Sequence, residues 1–289
     1  MMTGQQATVA VIGAGGKMGQ RISNNLARSD YRALYAENSP KGREVVTGLG
    51  RDLTESHEAA SQADVVILAV PDILLGRISA DIVPTMKQGA ILLTLDPAAA
   101  YANLLHRRDG IAYAVAHPCH PSVFLERTTT EQHADTFGGI AAPQDVVAAF
   151  EDGDEAARDL AEAVVRVAYG PVIDVHWVTV KQLAVLEPTL VETVACMVGA
   201  LLKEALEETI HTVGVPEAAA RAMLLGHTQV ALANTLRGSN PFSDACLIAM
   251  DYGRETIVKD DWKKIFDDSE LDKVLARMLH LDVIERSHA

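Results

Sequence analysis

Short apolar runs recur through the first 176 residues: "ATVAVIG" from Ala7, "RALYAE" from Arg32, "ADVVILAV" from Ala63, "GAILLTLD" from Gly89 and "GIAYAVA" from Gly110, with weaker "GGIAA" and "PVIDV" after them. They are hydrophobic throughout rather than alternating, which predicts strands of a mostly parallel sheet covered on both faces. Helical patterns lie between them, such as "DILLGRISADIVPTM" after Pro71 and "GDEAARDLAEAVVRVAYG", which opens on acidic residues and closes on Gly170. The alternation predicts a doubly wound α/β domain. After His176 the strand signal stops and the chain reads as helix, through "VTVKQLAVLEPTLVETVACMVGALLKEALEETIHTVG", "PEAAARAMLLGHTQVALANTL", "FSDACLIAMDYGRETIV" and "SELDKVLARML". We therefore expect an α/β domain over residues 1–176 and an all-α domain over 177–289, with the boundary between 174 and 180. Pro188 is expected to kink or break the first long helix near Glu187, and Gly214 with Pro216 to stop one helix and start the next.

The chain has 289 residues, 48% of them hydrophobic, enough to bury at least one sizeable core, so a disordered chain is excluded. With 39 acidic against 25 basic residues its formal charge is -14, which speaks against a nucleic-acid partner. No secretory signal is expected, because the first apolar run starts at Ala7. The apolar stretch "LVETVACMVGALL" is interrupted by Glu192 and reads as a buried helix too short to span a bilayer, so no membrane partner is expected. Cys119, Cys196 and Cys246 are odd in number and widely spaced, which suits a reducing compartment and a cytoplasmic protein.

Against this background, "VAVIGAGGKMGQRISNNLA" places Gly13, Gly15, Gly16 and Gly19 between the first strand and the first helix. Glycines there let backbone N–H groups approach a pyrophosphate at the positive end of a helix. The spacing is read as GxxGxxG on Gly13, Gly16 and Gly19, and its place after the first strand gives the motif its weight. Candidate dinucleotide contacts are Gly13, Gly15, Gly16, Lys17 and Met18, together with Val70, Pro71 and Asp72 at the end of "LAVPD". Glu37, 24 residues after Gly13, suits the ribose hydroxyls and favours NAD, although Ser39, Lys41 and Arg43 just beyond it offer partners for a 2'-phosphate.

"AHPCHP" sets His117 and His120 three apart between prolines after the fifth strand. Two imidazoles in a stiffened loop suit a divalent ion, or proton transfer with a substrate hydroxyl; the plainer alternative is a proline turn with histidines on backbone groups. A metal needs a further ligand. Glu187 is the best candidate, a carboxylate in the apolar pattern "QLAVLEPTLVET", with Glu192 five positions on. Lys181 is a proton-transfer candidate if desolvated. His106, His211, His227 and the pair Ser243–Asp244 read as solvated or capping residues.

The order of "VIGAGGKMG", "ADVVILAVPD", "LDPAAAYA", "AHPCHP", "FGGIAA" and "VTVKQLAVLEPTLVET" resembles that of bacterial oxidoreductases with a phosphogluconate-dehydrogenase-like helical C-terminal domain, most closely the D-apionate oxidoisomerase family, over about Val9 to Trp262. The resemblance implies an N-terminal Rossmann doubly wound parallel sheet with an all-α C-terminal domain. It also implies NAD-dependent oxidation of D-apionate at its 2-hydroxyl with a ketol rearrangement to 3-oxo-isoapionate. On this reading one divalent ion, zinc or magnesium, is held by His117 and Glu187. His120 is a further ligand or the general base, and Lys181 or Glu192 the proton-transfer partner. A simple β-hydroxyacid or prephenate-type dehydrogenase and a non-enzymatic nucleotide sensor are the competing readings. The long apolar helix at residues 189–213 favours a homodimer.

Overall fold

The computed structural model describes residues 7–286. They fall into two compact units, one running to Leu186 and resuming at Asp272, the other Glu187–Leu271.

The first unit is built on seven strands: β1 (Thr8–Ile12), β2 (Arg32–Ala36), β3 (Val65–Leu68), β4 (Ile91–Thr94), β5 (Ala112–Pro118), β6 (Gln144–Glu151) and β7 (Val172–Trp177). They order as β2-β1-β3-β4-β5-β6-β7. All pairings are parallel except β5 with β6. Central strands β1, β3 and β4 are buried at every position, as their unbroken apolar runs predict.

The helices of this unit are α1 (Lys17–Leu26), α2 (Pro40–Gly48), α3 (Ser56–Gln62), α4 (Asp72–Ile82), α5 (Ala98–Tyr101), α6 (Thr130–Ala134), α7 (Glu155–Ala168) and α8 (Val180–Ala184). The amphipathic stripe of α7, Ala161, Val164, Val165 and Ala168, is buried, and the Asp154 side chain caps its start by accepting from Ala157 N at 2.8 Å. Ile22 and Leu26 of α1 join the same core, each buried side chain contributing about 1.5–3 kcal/mol.

Two expectations change. "GGIAA" is not a strand, because its backbone N–H groups are taken by the Asp135 carboxylate instead of a neighbouring strand. The sixth strand is "QDVVAAFE", whose adjacent alanines weaken the strand signal. It runs antiparallel to β5, so the segment 119–143 leaves and re-enters the sheet at one edge, closed by Cys119 N donating to Asp145 O at 2.9 Å. The helical region also divides differently from the 176/177 line. The capping box of Thr179 and Gln182 starts α8, which packs on α5 and β6 and so stays with the sheet.

In the second unit, Pro188 does not end the helix. The backbone opens to π-helical geometry over Val185–Cys196, and the Pro188 carbonyl accepts from Thr193 Oγ1 at 2.8 Å. There follow α9 (Met197–His211), α10 (Glu217–Arg237) and α11 (Asp244–Ile257); α12 (Asp268–Leu279) carries the chain back into the first unit. The stretch expected to be a buried helix is exposed. No residue of α9 or α11 is buried, and in α10 only Ala220 is. The helix Val180–His211, at 32 residues, extends well beyond the apolar stretch that was judged too short to span a bilayer, and by length and composition alone is apolar enough to cross one.

Candidate active site

Because β1, β3, β4 and β5 are parallel, the residues that follow them collect at one edge of the sheet. There a cavity of about 910 Å³ is lined by six of the sequence candidates, Gly13, Gly15, Gly16, Glu37, Val70 and Pro71. Gly13 has φ +88°, and a Cβ on it would lie 2.4 Å from the Ala69 carbonyl oxygen. At Gly19 a Cβ would stand 2.0 Å from the Gly13 oxygen, so α1 reaches the turn only with glycine there. Gly16 and Gln20, at the start of α1, line this cavity, and a helix N-terminus is a positive end suited to a pyrophosphate. The Glu37 carboxylate accepts from Gly15 N at 3.0 Å and from Ser39 N and Oγ at 2.9 Å each, and so is fixed at the cavity wall where a ribose would lie. The residues present fit a dinucleotide.

Two candidates face elsewhere. The Lys17 ammonium lies 4.4 Å from the Phe137 ring centroid, and Met18 packs against the core, so only their main chain remains for a cofactor.

Asp72 opens α4. Burial first, then the neighbouring charge of Asp96, pushes its carboxyl up to about 6. A raised carboxyl pKa means the folded chain holds a proton that the unfolded chain gives up. The resulting loss of stability therefore grows as pH rises from about 4 and is complete above about 6. In metal-free protein, Asp72→Asn is expected to melt at a higher temperature than wild type at pH 7.5 or so, the difference vanishing near pH 4, as read by calorimetry across that range. A gap that is constant with pH would contradict the assignment.

His117 lies within β5, near its end, rather than after it. Its Nδ1 sits 3.1 Å from the Leu95 carbonyl oxygen. A carbonyl only accepts, so Nδ1 carries the hydrogen and Nε2 keeps its lone pair. Burial, and secondarily the His120 ring, hold the imidazole pKa below its ordinary value against the opposing Leu95 bond, which favours the neutral form a metal requires. A carboxylate oxygen of Asp96 lies within 4.8 Å of a His117 ring nitrogen. Asp96 was not among the candidates read from the sequence. The signal was present in register: Thr94 of β4 pairs with Val115 of β5, and two residues on that places Asp96 beside His117.

His120 has φ +60°, a left-handed backbone that costs a non-glycine residue roughly 1–2 kcal/mol. Its Nδ1 bonds the Phe137 carbonyl oxygen at 2.7 Å, which again leaves Nε2 as the acceptor. Its ring centroid is 6.4 Å from that of His117. Lys181 and Glu192 are exposed in this chain. Glu187, in contrast, is buried, with 6% of its surface exposed.

Residues 125–279 match the sequence family described as the C-terminal domain of phosphogluconate dehydrogenase (decarboxylating), and residues 8–95 that described as the coenzyme F420-dependent NADP oxidoreductases. Over 285 residues, 99% of this chain and 100% of the relative, the sequence is 64% identical to a D-apionate oxidoisomerase of Pectobacterium atrosepticum. The chain belongs to the D-apionate oxidoisomerase family. A D-apionate oxidoisomerase of Cupriavidus necator is 42% identical over 93% of this chain and 98% of its own. Among solved structures similar to this member of the D-apionate oxidoisomerase family is a Cupriavidus necator protein described as a semialdehyde dehydrogenase NAD-binding protein in complex with calcium and NAD. It shares 42% identity, covers 95% of this chain and 100% of its own, and superposes with a TM-score of 0.90.

Proposed function

We propose that the protein is an NAD-dependent oxidoisomerase that oxidises the 2-hydroxyl of D-apionate, a branched polyhydroxy acid, and rearranges the product to 3-oxo-isoapionate. The observation that carries the reading is the pair of histidines at the carboxyl edge, each with Nδ1 on a backbone carbonyl and Nε2 left to accept, His117 beside the Asp96 carboxylate, at the same edge of the sheet as the glycine-rich cavity. The family supports the substrate, and the solved relative's NAD supports the cofactor.

Bound NAD supplies the acceptor for the hydride that leaves C2. Gly13, Gly15 and Gly16 would leave room for its pyrophosphate, and the Glu37 carboxylate would accept from its ribose hydroxyls and repel a 2'-phosphate. His120 takes the proton of the reacting hydroxyl at Nε2. In the rearrangement a hydroxymethyl group moves from C3 to C2 with its bonding electrons, while the C3 hydroxyl loses its proton and the C2 oxygen gains one. An imidazole that can carry that proton between the two oxygens meets the need.

The donor set fits a divalent cation. His117 offers a neutral nitrogen and Asp96 a carboxylate, and we assign Glu187 as the third ligand, one residue past the end of the first unit and buried. A cation there supplies Lewis acidity to the substrate's oxygens. The residues suit zinc or magnesium, and the calcium of the solved relative shows an oxygen-seeking ion in a related chain.

The test is to purify the protein without chelator or affinity histidines, measure bound metal by elemental analysis, and follow NADH formation with D-apionate before and after chelation. About one divalent ion per chain, activity lost on chelation, and a rearranged product by NMR are expected. A 2-keto acid with an unchanged skeleton would replace this reading with a simple dehydrogenase, and unchanged turnover without metal would remove the ligand assignment.

We further assign a homodimer in the cytoplasm. Ile248 on α11 and Leu225 on α10 are 72% and 68% exposed, on helices that bury almost nothing within their own chain. A second copy of this surface would cover it. Light scattering in detergent-free buffer is expected to give two chains per particle, and Ile248→Asp with Leu225→Asp to shift it towards one. A monodisperse wild-type monomer would defeat the assignment. Cys119, Cys196 and Cys246 are unpaired thiols, in keeping with a reducing compartment.

A further inference from the structure

A histidine held in left-handed backbone needs a partner that does not move, and His120 bonds a loop carbonyl, that of Phe137. What fixes that carbonyl is Asp135. Its Oδ1 accepts from Gly138 N at 2.9 Å, and its Oδ2 from Ile140 N, Ala141 N and Ala142 N at 3.1, 2.8 and 3.1 Å. The residue is 5% exposed. Burial alone would raise its carboxyl pKa, but the four N–H donors outweigh burial and hold it below the ordinary value, so the group is an anion throughout the neutral range. Four converging N–H groups wind residues 136–142 around one point. Gly138 and Gly139, with φ of +82° and +79°, make that winding possible.

The turn is braced from α1 as well. The Lys17 ammonium and Arg21 guanidinium lie 4.4 and 4.3 Å from the Phe137 ring centroid, Arg21 also donates to the Gly138 carbonyl, and Asn25 Nδ2 donates to the Gly139 carbonyl at 3.1 Å. The Phe137 ring in turn packs on His120, centroids 4.4 Å apart.

We propose that Asp135 is a positioning residue for His120: its carboxylate shapes the turn that presents the Phe137 carbonyl to Nδ1, and so selects the tautomer whose Nε2 accepts the substrate's proton. The inference rests on the reading of His120 as the general base. Asp135 itself does not touch substrate. Without a carbonyl at Nδ1, the imidazole is free to put its hydrogen on Nε2, the tautomer free histidine prefers, and in that form it presents a donor where an acceptor is needed.

The test reads the tautomer directly. In protein labelled with ¹⁵N-histidine, long-range ¹H–¹⁵N spectra, with His120 assigned from its loss in His120→Asn, are expected to show a protonated Nδ1 and a bare Nε2. In Asp135→Asn an amide must place an NH₂ against an N–H, and the turn loosens. The His120 signals are then expected to move towards the Nε2–H form, with kcat lowered about 10- to 100-fold and the NADH dissociation constant changed less than about two-fold. Asp135→Glu, which keeps the charge but displaces the oxygens by one methylene, takes its place if the asparagine variant does not fold. An Nε2–H tautomer in wild type overturns the proposal. So does a folded variant with the wild-type tautomer, whatever its kcat. The spectra involve no substrate, so a wild type inert towards D-apionate overturns the functional reading and leaves this result standing.

Discussion

His120→Asn is expected to lower kcat by about 10²- to 10⁴-fold while NADH affinity stays within about two-fold of wild type. Asparagine is the informative replacement because it tolerates the left-handed backbone that His120 adopts, so little strain is added. Its amide keeps a hydrogen-bonding group near the Phe137 carbonyl but has no basic nitrogen to take a proton. Steady-state rates with D-apionate, beside a fluorescence titration with NADH, separate the two quantities. A variant that turns over within about ten-fold of wild type would show that the proton goes elsewhere.

The second large effect is expected at the glycine-rich turn. Gly19→Ala should raise the NADH dissociation constant about 10- to 100-fold and lower the melting temperature, since relieving an overpacked contact costs about 1–3 kcal/mol. The added methyl would meet the Gly13 oxygen at 2.0 Å and the Ala14 backbone at 2.9 Å, none of which is a flexible side chain. Relief comes only if α1 retreats from the turn, which withdraws the N–H groups that meet the pyrophosphate. Gly48→Ala, at a helical glycine with nothing within 4 Å of the new carbon, is the control and should bind NADH as wild type does. Wild-type affinity in Gly19→Ala would mean that the cofactor does not use this turn.

The contrast between these residues shows what a sequence can carry. The glycine turn and the buried parallel strands announce themselves locally, by spacing and by unbroken apolar runs, and the structure places Gly13, Gly15, Gly16, Glu37, Val70 and Pro71 around one cavity as that reading requires. Glu187 was legible for a related reason, as a carboxylate set among apolar residues, and it is buried. Asp96 and Asp135 were not legible, because each owes its role to geometry. Asp96 needs the register of β4 on β5, and Asp135 needs four N–H groups that a strand reading of "GGIAA" had already spent on a neighbour. Lys181 and Glu192 show a further limit, since helical spacing could not say which face of the helix meets water, and both are exposed in this chain.

The reversal of direction between β5 and β6 has an evolutionary meaning. Residues 119–143 begin and end at neighbouring points, stapled by the bond from Cys119 N to Asp145 O, so the excursion leaves the sheet and returns to it at one place. Lengthening such a closed excursion costs little, only about 0.6 kcal/mol per doubling. The sheet, the cofactor turn and His117 can stay as they are while such an insertion grows. New substrates for this architecture are therefore most cheaply reached by lengthening the parts of that stretch that leave His120 and the Asp135 turn in place.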